Sequence, residues 1–181
     1  MAKHLMVDME TMAVSPNAVV LSLGAVHFNP YGNGYGDKIY FRISIDDQDA
    51  LGREVDPNTI EWWSKQDPEI MEEAFSPDNR IGLVDAMDRF HKFAWGCDAF
   101  WSHGATFDLV IIENIYRQLN KPLPWSYWQL RDTRTLFDLG YSPDMPQGSK
   151  HDALQDAIRQ VRGVQTVFRK LNTLIHTNEN C

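Results

Sequence analysis

The chain has 181 residues, 43% of them hydrophobic and 12% aromatic, and a formal charge of −8. That length predicts one domain with a full core. The two cysteines, Cys97 and Cys181, have neither CxxC nor zinc spacing, which excludes a disulfide scaffold and favours a reducing compartment, while the lack of any run of ~18 apolar residues excludes a membrane span and makes a cytoplasmic location the expectation.

The charge is unevenly spread. Residues 1–130 hold 10 Lys/Arg against 19 Asp/Glu, and residues 131–181 hold 7 against 6. A broad basic face for gripping a polyanion is therefore excluded. A polyanionic partner would need divalent cations to offset repulsion near the acids. Solubility alone accounts for the same charge.

Residues 3–10 alternate as a strand, with Leu5, Val7 and Met9 on one face and Met6, Asp8 and Glu10 on the other. Residues 18–28, "AVVLSLGAVHF", form a second, mostly buried strand. The turn "NPYGNGYGD" at 29–37 returns the chain into a third, "KIYFRISI" at 38–45. Short connections between the three predict an antiparallel meander.

The period then changes. Residues 56–75 read as short helices broken at Pro68, and residues 80–95 as a helix with Ile81, Val84, Met87 and Phe90 as its stripe. "DAFWSHG" is a short strand, and "TFDLVIIENIYRQLN" a helix burying Leu109, Ile112, Ile115 and Leu119. "YWQLRDT" is a further strand, followed by a short helix ending at Gly140, the loop "YSPDMPQGSK" and a last helix within 149–170. Meander strands followed by strand–helix units predict an α/β mixed sheet covered on both faces.

Three groups of residues carry chemistry. Asp8 and Glu10, two apart on a strand, project from one face and repel unless a cation or protons neutralise them; hard divalent metals take such carboxylates. A bare D-x-E is weak, since Asp67–Glu69 repeats it. Asp108 opens a helix just after a strand, where an acid also serves the helix dipole, and where α/β sheets gather their ligand sites. The third group is "HDALQDA", His151 to Ala157. Along one helix His151 and Asp156 would point ~140° apart. With Asp152 as N-cap and Gln155 closing a capping box, His151 lies outside the helix and is free to meet Asp156 at a common point. Ser149 as N-cap is the competing arrangement. His103–Asp108 repeats the H-x4-D spacing, so spacing alone does not select the pair.

The ordered set D-x-E-T, HGATFD and HDALQDA resembles the three motifs of the DEDDh group of 3′→5′ exonucleases, relatives of the proofreading-exonuclease domain with a ribonuclease-H-like fold. The match runs from Asp8 to Asp156. "TIEWWSKQDPE", together with HGATFD, also looks like the small stand-alone exonucleases and exoribonucleases of phages and bacteria. Gly104 departs from the family pattern, which often has asparagine there.

The resemblance implies a ribonuclease-H-like mixed sheet, a three-strand antiparallel meander plus parallel strands flanked by helices, in one exonuclease domain over 1–175 with a short tail at 176–181. It implies Asp8, Glu10, Asp108 and Asp156 as ligands of two Mg²⁺ or Mn²⁺ ions, and His151 as the fifth catalytic residue, the general base. The expected substrate is the 3′ end of single-stranded nucleic acid, DNA somewhat before RNA, cut to nucleoside monophosphates. Thr11, Met12 and Phe107 match or adjoin positions lining the terminal-nucleotide pocket. Trp62 and Trp63, with Trp125 and Trp128, are candidates for base stacking, although four tryptophans in such a chain are more often core or interface. Arg131, Arg134, Lys150, Arg159 and Arg162 are candidate phosphate contacts, although such charges are more often solvated surface. Stand-alone relatives are frequently homodimers, and the Trp-rich 121–130 segment would suit such an interface. Two other classes stay open: a nuclease-like binding module without catalysis, and a metal-free Asp–His hydrolase, for which no suitable nucleophile is evident.

Overall fold

A computed structural model describes residues 3–139 and 151–178, with side chains of the last helix as far as Asn172. Six strands form one sheet: β1 (His4–Thr11), β2 (Val20–Phe28), β3 (Lys38–Ile43), β4 (Arg80–Ile81), β5 (Ala99–Ser102) and β6 (Leu130–Asp132), in the order β4-β3-β2-β1-β5-β6. β1, β2 and β3 are antiparallel neighbours, as the short connections predict. β5 joins β1 in parallel, β6 joins β5, and β4 joins β3. The α/β mixed sheet of meander plus parallel strands is thus present.

Among the described residues the helices are α1 (Ile45–Asp49), α2 (Pro57–Trp63), α3 (Pro68–Phe75), α4 (Leu83–Ala94), α5 (Asp108–Gln118), α6 (Thr133–Phe137) and α7 (Ala153–Asn178). Leu5, Val7 and Met9 of β1 pack in one cluster with Leu83, Met87 and Phe90 of α4 and Leu109, Ile112 and Ile115 of α5. On the opposite face Met6 meets Ala157, Ile158, Val161 and Val164 of α7. The period-2 pattern of β1 thus sorts its side chains between two cores. Among the described residues no helix is long and apolar enough to cross a membrane.

Local boundaries differ from the sequence expectation: the third strand stops at Ile43, where Ser44 caps α1, and two further segments depart. Arg80 and Ile81 are not the first turn of a helix. The Arg80 guanidinium donates to the carbonyls of Leu21, Ile43 and Ala74, drawing the segment into the sheet edge. Helix α4 then starts at Leu83 and buries Leu83, Ala86, Met87, Phe90 and Ala94, leaving Val84 exposed. In "YWQLRDT", Tyr127–Gln129 is a 3₁₀ turn closed by reciprocal Ser126–Gln129 bonds, and only Leu130–Asp132 is strand. Gly140 and the 141–150 loop lie outside the described residues.

Candidate active site

Asp8 lies opposite Gly24 in the β1–β2 ladder, and Glu10 opposite Ser22. The glycine decides what can sit above them. A Cβ on Gly24 would stand 2.4 Å from Leu154 N and 2.5 Å from Ala153 C. Only a residue without a side chain lets the N-terminus of α7 rest directly on the sheet at this point. That contact brings His151, Asp152 and Asp156 beside the acidic end of β1.

The start of α7 has the arrangement with Asp152 as N-cap. Asp152 Oδ1 accepts the amides of Leu154 at 3.0 Å and Gln155 at 3.1 Å, and its carbonyl accepts Asp156 N at 2.8 Å. Ser149, the competing cap, lies outside the described residues. His151 stands before the helix at φ +65°, a left-handed conformation uncommon for a residue with a side chain. The turn folds its backbone amide onto Asp156 Oδ2 at 3.1 Å, and its ring lies edge-on to Trp62, with 4.8 Å between ring centres.

Ligand-type oxygens of Asp8, Glu10 and Asp156 lie within 4.8 Å of one another. Asp108, 3% exposed, opens α5 beside them. Burial pushes the Glu10 carboxyl up to about 8, helped by repulsion from Asp108 and Asp152. Burial likewise raises Asp108 to about 7, against the polar pull of the nearby Ser102 hydroxyl, the Asp108 and Met9 backbone amides and the Arg134 charge. Asp8 is raised well above its ordinary range by burial, then by Asp108 and Glu10, although Gln160 Nε2 donates to its Oδ1 at 2.7 Å. Arg159 pairs with Asp156. Carboxylates crowded until they resist ionisation form a donor set suited to a hard divalent cation, whose charge removes the repulsion.

Two adjoining cavities share Met9, Glu10, Trp62 and Phe107 as walls. One, of about 590 Å³, adds Asp8, His103, Asp108, Arg134, His151, Asp156, Arg159 and Gln160. The other, of about 500 Å³, is more apolar and adds Thr11, Val14, Asp56, Asn58, Thr59 and Trp63. All five residues of the motif set therefore meet in one cavity, and Thr11, Phe107, Trp62 and Trp63 line its neighbour.

Other candidates are placed differently. Met12 packs against the Leu21–Trp63–Ala74 cluster and is not among the cavity-lining residues. Trp63 is 1% exposed and donates its indole N–H to Thr11 O at 2.9 Å, so it packs in the core and only borders the smaller cavity. Trp62, 42% exposed, keeps a ring available. Trp125 is buried between Phe90 and Phe100, whereas Trp128 is exposed. Arg131 Nη1 donates to the carbonyls of Trp128 and Leu130, Arg162 is exposed, and Lys150 lies outside the described residues. His103 does not join Asp108 as an acid–base pair: its Nδ1 meets Thr133 Oγ1 at 2.8 Å. Gly24 and Gln160 were missed by sequence reasoning. The glycine inside an otherwise apolar strand was the only signal for the first, and a helix-interior glutamine carries none.

The model of the family described as 3'-5' exoribonuclease Rv2179c-like domain matches residues 3–168. The exodeoxyribonuclease of Enterobacteria phage T4 is 24% identical across 90% of this chain and 88% of its own length. Escherichia coli exonuclease I in complex with a dT13 oligonucleotide superposes with a TM-score of 0.70 at 16% identity, over 98% of this chain and 43% of that one. Exonuclease I of Methylocaldum szegediense gives 0.64 at 14% identity, over 94% and 41%. The chain thus spans less than half the length of the exonuclease I chains it matches.

Proposed function

The chain belongs to the 3'-5' exoribonuclease Rv2179c-like family, and from that premise we propose that it is a divalent-metal-dependent 3′→5′ exonuclease. It shortens single-stranded nucleic acid from the 3′ end, DNA in preference to RNA, and releases nucleoside monophosphates. The carrying observation is the convergence of Asp8, Glu10 and Asp156 within 4.8 Å, with buried Asp108 alongside. The match to the phage exodeoxyribonuclease over nearly the whole of both chains supports DNA as substrate. A second reading, RNA, is favoured by the family's own description.

In this reading Asp8, Glu10 and Asp156, with Asp108 beside them, would hold the divalent ions, two Mg²⁺ or Mn²⁺. When bound, the ions neutralise phosphoryl charge, orient the phosphodiester and acidify the attacking water. His151 would act as the general base, taking a proton from the attacking water with its imidazole. Asp152 holds the turn that aims His151, and Asp156 Oδ2 fixes its backbone. The terminal nucleotide enters the 500 Å³ cavity, walled by Thr11 and Phe107, with its base on the exposed face of Trp62. Glu10, common to both cavities, stands where nucleotide and phosphodiester join.

The test is a time course on 5′-labelled single-stranded DNA and RNA of one sequence, with Mg²⁺, Mn²⁺ or EDTA. A ladder shortening from the 3′ end, abolished by EDTA, is expected, and the DNA/RNA rate ratio names the substrate. No cleavage of either strand would leave a binding module, and cleavage insensitive to EDTA would restore metal-free hydrolysis. His151→Ala should lower the rate by ~10²–10⁴-fold while keeping Mn²⁺ affinity; lost Mn²⁺ binding would make His151 a ligand or a fold residue instead.

A further inference from the structure

One cation at the cavity, Arg134, exerts a pull on Asp108 but is neither hydrogen-bonded nor ion-paired to the carboxylates. Arg134 is the second residue of α6, and the Asp132 cap ties that helix to the loop after β5: Oδ1 accepts Arg134 N and Oδ2 accepts Ala105 N, each at 2.9 Å. This clamp sets the Arg134 side chain against Gly104. A Cβ on Gly104 would lie 2.6 Å from Arg134 Nη1 and 3.2 Å from Cζ, so the guanidinium occupies the space a side chain there would take. Gly104 also adopts φ +122°, which L side chains rarely do.

The guanidinium borders the same cavity as Asp8, Glu10, Asp108 and Asp156. Of the other arginines near it, Arg159 is paired with Asp156 and Arg131 is engaged by two carbonyls. Among the described residues no hydrogen bond or ion pair engages the Arg134 guanidinium. Its planar fork of N–H donors suits a phosphate oxygen pair. A solvated arginine needs neither a glycine beneath it nor a cap that fixes it over an acidic cavity.

Resting on the exonuclease reading above, we propose that Arg134, admitted by the absence of a side chain at Gly104, binds a phosphate of the strand as it crosses the carboxylate cavity. The contact holds the strand equally before and during cleavage, so it governs KM and not kcat.

The experiment measures steady-state cleavage of 5′-labelled single-stranded DNA over a salt series, with melting curves for each variant. It compares wild type, Arg134→Ala, Arg134→Lys, Gly104→Ala, the double Gly104→Ala/Arg134→Ala, and Arg89→Ala as an equal charge change on exposed α4. Arg134→Ala should raise KM about ten-fold or more, as for loss of a charge-assisted hydrogen bond, with kcat within about two-fold. Its log–log salt dependence should be shallower by about 0.7, one phosphate contact on a single strand. Arg134→Lys should restore the salt slope and only part of the KM. Gly104→Ala should raise KM more in the wild-type background than in Arg134→Ala, where only the backbone strain of its positive φ remains.

An unchanged KM in Arg134→Ala, or an equal rise in Arg89→Ala, overturns the proposal. So does a fall in kcat accompanied by weaker Mn²⁺ binding, which would make Arg134 a structural partner of the carboxylates. Equal costs of Gly104→Ala in both backgrounds overturn the coupling, and if that variant does not fold the two Arg134 variants decide. Wild type that cleaves while Arg134→Ala does so equally well sinks this inference alone; wild type that never cleaves sinks the exonuclease reading with it.

Discussion

The two faces of β1 are built from alternate residues of one strand and do opposite work. Leu5, Val7 and Met9 enter a continuous apolar cluster closed by α4 and α5. The other face begins the same way, with Met6 under Ala157 and Val161, but turns acidic at Asp8 and Glu10 as it reaches the start of α7. The apolar face gains from every contact that excludes water. The acidic face loses by it, because buried carboxylates repel and resist ionisation. A strand stabilised on one side thus carries, on the other, a site that costs the metal-free protein stability.

That contrast is broken most severely at Gly24. Gly24→Ala would drive a Cβ into the backbone of Ala153 and Leu154. Lifting α7 separates His151 and Asp156 from Asp8 and Glu10, and displacement of ~1 Å is enough to cost ~10²-fold in rate. Overpacking should also cost about 1–3 kcal/mol or more of stability. Cleavage assays and denaturant melts should show both losses together; full activity would mean that α7 does not need to touch the sheet there.

The apolar face should break without touching the chemistry. Ile112→Ala, fully buried in α5, should cost about 2–5 kcal/mol in a denaturant melt, with kcat/KM unchanged at temperatures where the variant is folded. A large fall in kcat/KM would show that the two faces are mechanically coupled.

The finest discrimination is by pH. Folding raises Glu10 from 4.5 to about 8 and Asp108 from 3.8 to about 7. Between those limits the folded chain binds protons that the unfolded chain has released, so this contribution to stability is lost as pH rises from about 4 to about 8. The metal-free protein should therefore melt lower at pH 8 than at pH 5.5 by more than Glu10→Gln does. Mg²⁺ or Mn²⁺ should raise Tm more at pH 8 than at pH 5.5, since the carboxylates are then ready to bind. Parallel pH profiles for wild type and Glu10→Gln would mean that Glu10 is not under this stress.

Much of this molecule is legible locally. The alternation in residues 3–10, the Gly- and Asn-rich turn at 29–37 and the break at Pro68 depend on neighbours in sequence, and each becomes the expected element. Asp152 as N-cap, with His151 outside the helix, follows from capping chemistry within four residues. Four acids and a histidine separated by as many as 148 positions are recognisable as one set because the motifs preserve their order.

Tertiary structure alone decides what depends on distant backbone. Arg80–Ile81 is strand because an arginine reaches three carbonyls on other segments. Trp63 is core because Thr11 O and the Leu21 cluster surround it, while its neighbour Trp62 faces the cavity. Gly24 matters through α7, about 130 residues away, and Gly104 through the guanidinium of Arg134. Periodicity and capping report forces within one or two turns of chain. Whether a glycine is an ordinary strand residue or the clearance for an active site depends on which segment the fold sets above it.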